Sequence, residues 1–194
     1  MNFLAHIQLS GNTSDLLAGN FLGDFVSKKD FEKLPESIQK GVLLHRAIDN
    51  FTDRHEITKS SNRLMHEQHG KYAAVLSDIF YDHFLALHWD KFHDKPLQEF
   101  ATNTYQLLGE YVEHFPDSAK SFYQYMCHYN ILYRYKELEG MEQVVQGMAR
   151  RSRFGQHMAN GVQTLVENYS ELETNFLRFY PSLEKHCLEI RTGA

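Results

Sequence analysis

Glycine and proline, the residues that most often end helices and form turns, are scarce in this sequence, with 11 glycines and 4 prolines among 194 residues. Together they make up about 8% of the chain, against roughly 12% in average proteins. A β-sandwich with many short strands needs more of these turn-forming residues. The sequence therefore predicts long helices.

Apolar residues recur along most of the chain at the three- and four-residue steps of an α-helix, as Ile38, Val42 and Ile48 do. No segment alternates apolar and polar residues for long enough to require a strand. We expect an all-α fold, a compact multi-helix bundle, with residues 1–194 in a single domain. Helices are predicted over about 14–27, 35–55, 57–70, 72–92, 97–114, 118–137, 140–149, 155–168 and 169–180, and Pro181 is expected to end the last of them.

Charge and composition narrow the classes of function. The formal net charge of −5 argues against a nucleic-acid-binding protein, which usually carries a basic field. No apolar run approaches the roughly 18 residues that a membrane span needs. The segment MNFLAHIQLS lacks a basic region and contains His6, so we do not expect a signal peptide. Cys127 and Cys187 fit no zinc or redox spacing, and they are expected to stay reduced in a cytoplasmic protein.

Histidine and acidic residues gather in the first half of the chain at spacings that place them on common helix faces. They are His6, the pair Asn20 and Asp24, the series His45, Asp49 and Asp53, the pair Asp78 and Asp82, and then His83 directly after Asp82. Several lie in apolar segments, where a carboxylate is costly unless it is paired or bound to a cation. Their convergence predicts a divalent metal site within the bundle.

Mixed imidazole and carboxylate ligands suit Mn²⁺, Fe²⁺, Mg²⁺ or Zn²⁺, and such an ion would support hydrolysis. The same residues are also compatible with structural roles. Asp49, for example, can pair with Arg46 or Arg54, and the chain would then be a non-catalytic helical interaction module. A ferritin-like oxidase is disfavoured, because the paired Glu and Glu-x-x-His motifs that it needs do not occur as a set.

Several longer segments carry a family resemblance. These are MNFLAH at the start, GNFLGDF at 19–25, HRAIDNFTD at 45–53, DIFYDHFLALHW at 78–89, and the later NILYRY and GMARRSR. Together they resemble the acyl carrier protein phosphodiesterases, a family that is similar to the HD-domain metal-dependent phosphohydrolases. The resemblance implies an HD-like helical architecture. It also implies hydrolysis of the phosphodiester between 4′-phosphopantetheine and the serine of holo acyl carrier protein, with Mn²⁺ as the usual ion and Mg²⁺ or Fe²⁺ as alternatives.

The resemblance also implies roles for particular residues. Asp82 and His83 would be the HD pair and His45 the upstream histidine, although the pair reads Asp-His here where the superfamily has His-Asp. No clear downstream aspartate follows, which leaves Asp24 as the candidate for that place. The expected metal ligands are therefore Asp24, His45, Asp82 and His83. The groups expected to orient water or move a proton are Asp24, His6, Asp49 and Asp78, and the alternative for His6 is a further metal ligand.

An acidic carrier protein requires a basic surface on its partner. Lys28 and Lys29 follow the segment that bears Asp24, and Arg46 follows His45, where it would contact the phosphate or pair with Asp49. The densest basic cluster is formed by Arg150, Arg151 and Arg153, whose guanidinium groups can bind carboxylates or phosphate. A solvated charged turn is the alternative for each group. An enzyme of the same fold that acts on a nucleotide or another small phosphoester is the alternative for the activity.

Overall fold

The computed structural model describes residues 1–152 and 155–193, without the side chain of Arg151. The described residues form twelve α-helices and three short 3₁₀ helices, with no β-strand among them, so the all-α prediction is confirmed. The α-helices are α1 (Phe3–Leu9), α2 (Ser14–Leu22), α3 (Lys28–Phe31), α4 (Glu36–Arg54), α5 (Glu56–His69), α6 (Tyr72–Leu87), α7 (Leu97–Gly109), α8 (Asp117–Tyr129), α9 (Ile131–Arg134), α10 (Leu138–Arg151), α11 (Gly161–Glu167) and α12 (Tyr169–Thr192). The 3₁₀ helices cover Trp89–Lys91, Val112–His114 and Gly155–Met158.

Helix α6 lies at the centre of the bundle. Its sequence is apolar on almost every side, as expected of a helix that is surrounded by others. Helices α1, α5, α10 and α12 all pack against it. Leu76, Phe80 and Phe84 of α6 are completely buried in a core that extends through the bundle.

Helices α2 and α4 cross at very short distance because each has a glycine at the crossing. A Cβ atom on Gly19 would lie 2.0 Å from the carbonyl oxygen of Ile38, and one on Gly41 would lie 2.3 Å from the carbonyl oxygen of Leu16. No side chain fits into either gap. This close crossing places the end of α2 beside the second half of α4.

Helix α1 is attached to α6 through its amino-terminal amides. The carboxylate of Asp82, which is completely buried, accepts hydrogen bonds from the amides of Asn2, Leu4 and Ala5 at 3.2, 2.7 and 3.3 Å. These amides have no partner within their own helix, and the helix dipole favours a negative charge at this end. The contact holds the start of α1 against α6, beside α2 and α4.

Several predicted helix ends are wrong, those of α2 and α7 by about five residues, and two further cases have a clear physical reason. Helix α12 continues through Pro181 to Thr192, because Leu183 and Cys187 beyond the proline are buried in the core. Burial of one such apolar side chain contributes about 1.5–3 kcal/mol, which is comparable with the ~3 kcal/mol cost of an internal proline. The helix predicted over 118–137 divides at Asn130, whose φ of 50° is left-handed.

The described residues contain no helix that combines the length and the apolar character required to cross a membrane.

Candidate metal centre

His6 of α1 and His45 and Asp49 of α4 form a cluster at the point where these helices meet. One carboxylate oxygen of Asp49 lies 3.1 Å from Nε2 of His6, and the other lies 3.2 Å from Nε2 of His45. One ligand atom from each residue falls within 4.8 Å of the others. Two imidazole nitrogens and one carboxylate are a common ligand set for divalent transition metals, so these residues can hold such an ion.

Asn20 of α2 fixes the orientation of both imidazole rings. The Nδ1–H of His6 donates to the side-chain oxygen of Asn20 at 2.9 Å, and the Nδ1–H of His45 donates to the Asn20 carbonyl at 2.8 Å. The Asn20 amide group donates in turn to the carbonyl of His6 and to the hydroxyl of Ser10. Both rings therefore direct Nε2 towards Asp49. Histidine ligands of metals usually have a hydrogen-bond partner of this kind on the second nitrogen.

The two imidazole rings stack, with centroids 3.9 Å apart and planes inclined by 15°. Gly23, which follows α2, borders the ring of His45. A Cβ atom at position 23 would lie 2.1 Å from Cγ of that ring. Only glycine leaves room for the histidine there, so Gly23 is a positioning residue for the cluster.

Asp24 lies at the open side of the cluster. One of its carboxylate oxygens is 3.4 Å from Nε2 of His45, and about half of its side chain (54%) is exposed. The side chain of Asp49 is also partly open to solvent, whereas those of His6 and His45 are almost fully buried. A ligand can therefore approach the cluster from the side of the two carboxylates.

The charges within the cluster are strongly coupled. Burial and the adjacent His45 lower the pKa of His6 to about 4. Burial opposes the charging of His45, but the hydrogen bonds to Asp24 and Asp49 and the negative charges of these carboxylates together prevail and raise the pKa of His45 to about 9. These two imidazoles hold the pKa of Asp49 well below its usual range, despite partial burial of the carboxylate. At neutral pH two carboxylates thus flank one imidazolium and one neutral imidazole, and the cluster carries a net negative charge that attracts a cation.

Asp82 and His83 have partners elsewhere. The carboxylate of Asp82 is occupied by the amides of α1, and burial raises its pKa to about 7. The Nδ1–H of His83 donates to the carbonyl of Tyr135 at 2.7 Å, and Nε2 accepts from the hydroxyl of Tyr169 at 3.1 Å. The structure therefore does not bring this pair to the cluster, and it is not part of the ligand set that we propose below.

Asp78 is also outside the cluster. Its carboxylate accepts a hydrogen bond from the amino group of Met1 at 2.7 Å, and burial raises the pKa of this carboxylate to about 6.

The basic residues predicted to bind the carrier fall into two groups. Lys28 and Lys29 are exposed on α3, and the guanidinium carbon of Arg46 lies 5.0 Å from the centre of the Phe31 ring of the same helix. Arg46 thus packs on α3, and it forms no ion pair with Asp49 among the described contacts. Arg150 is exposed near the end of α10. Arg153 and the side chain of Arg151 lie outside the described residues.

Sequence reasoning gave His6 as a metal ligand or a water-orienting group, assigned Asp49 to the orientation of water or to proton transfer, and gave no role to Gly23. The four-residue spacing of His45 and Asp49 indicates that both side chains lie on one face of a helix, where they can share a ligand. The role of Asn20 in holding both rings depends on the crossing of α2 and α4, which the spacing of residues along the chain does not reveal.

Fold and site together define a helical protein with a candidate divalent-metal centre built from two histidines and a carboxylate. The sequence profile described as "Acyl carrier protein phosphodiesterase" matches residues 1–183. The chain belongs to this family.

Curated relatives with the same name cover nearly the whole chain. The acyl carrier protein phosphodiesterase of Yersinia pestis is 32% identical over 188 residues, which are 96% of this chain and 97% of that protein. The corresponding protein of Klebsiella pneumoniae subsp. pneumoniae is 34% identical over 184 residues, or 94% and 95% of the two chains. Comparison with solved structures gives no significant match. The relationship to HD-domain phosphohydrolases stays a prediction.

Proposed function

We propose that this protein hydrolyses the phosphodiester between 4′-phosphopantetheine and the carrier serine of holo acyl carrier protein, and that it releases apo-carrier and 4′-phosphopantetheine. The observation that carries the proposal is the cluster of His6, His45 and Asp49 in a chain that belongs to the acyl carrier protein phosphodiesterase family. We take residues 1–194 as one catalytic domain. We place the reaction in the cytoplasm, where the two free cysteines would stay reduced.

The ligands that we propose for a divalent ion are Nε2 of His6, Nε2 of His45 and the Asp49 carboxylate. This donor set suits Mn²⁺, with Mg²⁺ or Fe²⁺ as alternatives. When bound, the ion would neutralise charge on the phosphoryl oxygens and lower the pKa of a water molecule.

The chain itself contributes orientation and proton transfer. Asn20 holds the two imidazoles, and Asp82 holds α1 and therefore His6. Burial opposes the ionisation of Asp24, but the hydrogen bond to His45 and the charges of His45 and His6 together outweigh it and lower the pKa of this carboxyl, so Asp24 is ionised at neutral pH. This carboxylate is positioned to accept a proton from the attacking water. A new bond forms between phosphorus and the water oxygen, the bond to the serine oxygen breaks, and the serine oxygen takes up a proton.

The basic residues on α3 and α4 would receive the acidic carrier. Lys28 and Lys29 are exposed four and five residues after Asp24, and Arg46 packs against the same short helix. A basic surface beside the open side of the cluster would bring an acidic protein close to the carboxylates that receive its phosphodiester. The arginines at 150, 151 and 153 are proposed as a second contact.

The direct test is incubation with holo acyl carrier protein and Mn²⁺, followed by mass spectrometry of the carrier. We expect the carrier to lose the mass of the prosthetic arm. Asp49→Asn should abolish this loss, whereas Asp53→Asn, at an exposed position one helical turn further along α4, should not. An intact holo-carrier after prolonged incubation, together with hydrolysis of nucleotides, would favour a small-phosphoester hydrolase instead.

A further inference from the structure

A cavity of about 320 Å³ lies next to the cluster. Phe3 of α1, Phe25, and Phe122 and Tyr125 of α8 contribute aromatic rings, and Met148 of α10 contributes a thioether. Asp24 lines the cavity as well, and its carboxylate lies 3.4 Å from Nε2 of His45. The side chain of Asp24 therefore belongs to the lining of the cavity and also borders the cluster.

We propose that this cavity binds the pantetheine arm of the substrate while the phosphodiester lies at the cluster. The proposal rests on the proposed function and adds to it the place and the chemistry of substrate-arm recognition.

Size decides which part of the substrate can enter. A phosphodiester at the cluster has two substituents, the slender arm and a folded carrier protein. A volume of about 320 Å³ is at the lower end of the range for small-molecule sites, roughly 300–1,000 Å³. A folded protein cannot enter such a space, so the carrier must remain on the open side and the arm must point inwards.

The lining also matches the arm chemically. The arm carries two methyl groups on one carbon, several methylene groups and two neutral amides, and the aromatic and aliphatic lining can bury the hydrocarbon portions. None of the described lining residues has a positive charge, which favours a neutral occupant over a second phosphate. The anionic end would thus remain at the cluster.

Asn2 offers a polar contact for an amide of the arm. Its side-chain oxygen accepts from the amide of Phe3 at 2.9 Å and so caps α1. Its amide nitrogen donates to the sulfur of Met148 at 3.9 Å, and a thioether is a weak acceptor. An amide carbonyl of the arm would be a stronger acceptor at the same place.

Direct binding is tested with pantetheine, which lacks the phosphate, and protein that carries ¹³C-labelled methionine methyl groups. We expect the Met148 signal to shift on titration, while Met65, which is buried in α5 and does not line the cavity, stays unchanged. This measurement needs neither metal nor turnover. An unshifted Met148 signal at millimolar pantetheine would overturn the proposal.

A variant that fills the cavity gives an independent test. Gly147 lines the cavity, and a Cβ atom there would meet, among the described atoms, only the hydroxyl of Tyr125 at 3.8 Å. We expect Gly147→Leu to lower kcat/KM for holo-carrier about tenfold or more, mainly through KM. The matched control is Gln146→Leu, on the exposed side of the same helix, which should retain the wild-type value.

The outcomes separate the two proposals. If the wild type leaves holo-carrier intact, the proposed function is wrong, whatever the methionine signals show. If the wild type removes the arm but Gly147→Leu does so equally well, the cavity is not the binding site of the arm.

Discussion

Binding of a divalent ion should release the proton of His45. In the metal-free protein this side chain is protonated up to a pKa of about 9, because its contacts with Asp24 and Asp49 outweigh the effect of burial. The ion needs the lone pair of Nε2, so it must displace that proton. His6 has a pKa of about 4 and adds no proton above about pH 5.

The size of the effect follows from the pKa. At pH 7 the proton is removed two units below a pKa of about 9, which costs about 3 kcal/mol. Lowering the pH favours the protonated imidazole, so the affinity for the ion falls as the pH falls. Between about pH 6.5 and 8.5 we expect the dissociation constant for Mn²⁺ to decrease about tenfold for each unit of pH increase.

Isothermal titration calorimetry with Mn²⁺ measures this coupling. At pH 7.5, titrations in two buffers with different ionisation enthalpies should report about one proton released per ion. Asp24→Asn should lower the pKa of His45 and thus reduce the number of protons released, whereas the exposed control Asp53→Asn should match the wild type. A dissociation constant independent of pH between 6.5 and 8.5 would show that His45 is not a ligand.

Four further predictions concern the metal site, the fold and the surface. Folding raises the pKa of His45 from 6.5 to about 9, so its stabilisation is present below about pH 6.5 and is lost as the pH rises through about 9. In urea unfolding of the metal-free protein, the free energies of unfolding of wild type and His45→Gln should therefore differ more at pH 6 than at pH 9.5. An equal difference at both pH values would contradict the assigned shift. Gly23→Ala should displace that imidazole and weaken Mn²⁺ binding, which calorimetry measures. Gly19→Ala should force two helices apart and lower the free energy of unfolding by about 1–3 kcal/mol, which urea unfolding measures. A wild-type value in either experiment would refute the corresponding close contact. Lys28→Glu combined with Lys29→Glu should weaken carrier binding most at low salt. If surface plasmon resonance gives the variant and the wild type equal affinities for the carrier at both low and high salt, α3 is not the docking surface.

The rotation of a largely buried helix cannot be deduced from its sequence, so the sequence does not show which neighbours Asp82 and His83 face. Helix α6 is apolar on almost all sides, so no amphipathic pattern indicates which residues face which neighbour. Helix α4 has a clear polar side, and the spacing of His45 and Asp49 correctly placed both on one face. The partners of Asp82 are amides at the start of α1, a contact between distant segments that periodicity cannot show.

The helix ends illustrate the same limit. The scarcity of glycine and proline was sufficient to predict the all-α class. Pro181 nevertheless lies inside α12, because burial of side chains beyond it compensates for the local cost. Local sequence signals indicate whether a segment prefers to be helical. Where the helix ends is decided by the balance between this preference and tertiary packing.

The location of the ion is measured most directly by anomalous diffraction from a crystal soaked in Mn²⁺. We predict one strong anomalous peak within coordination distance of Nε2 of His6, Nε2 of His45 and the carboxylate of Asp49. A peak at Asp82 and His83 instead, or none at saturating Mn²⁺, would contradict the proposed centre.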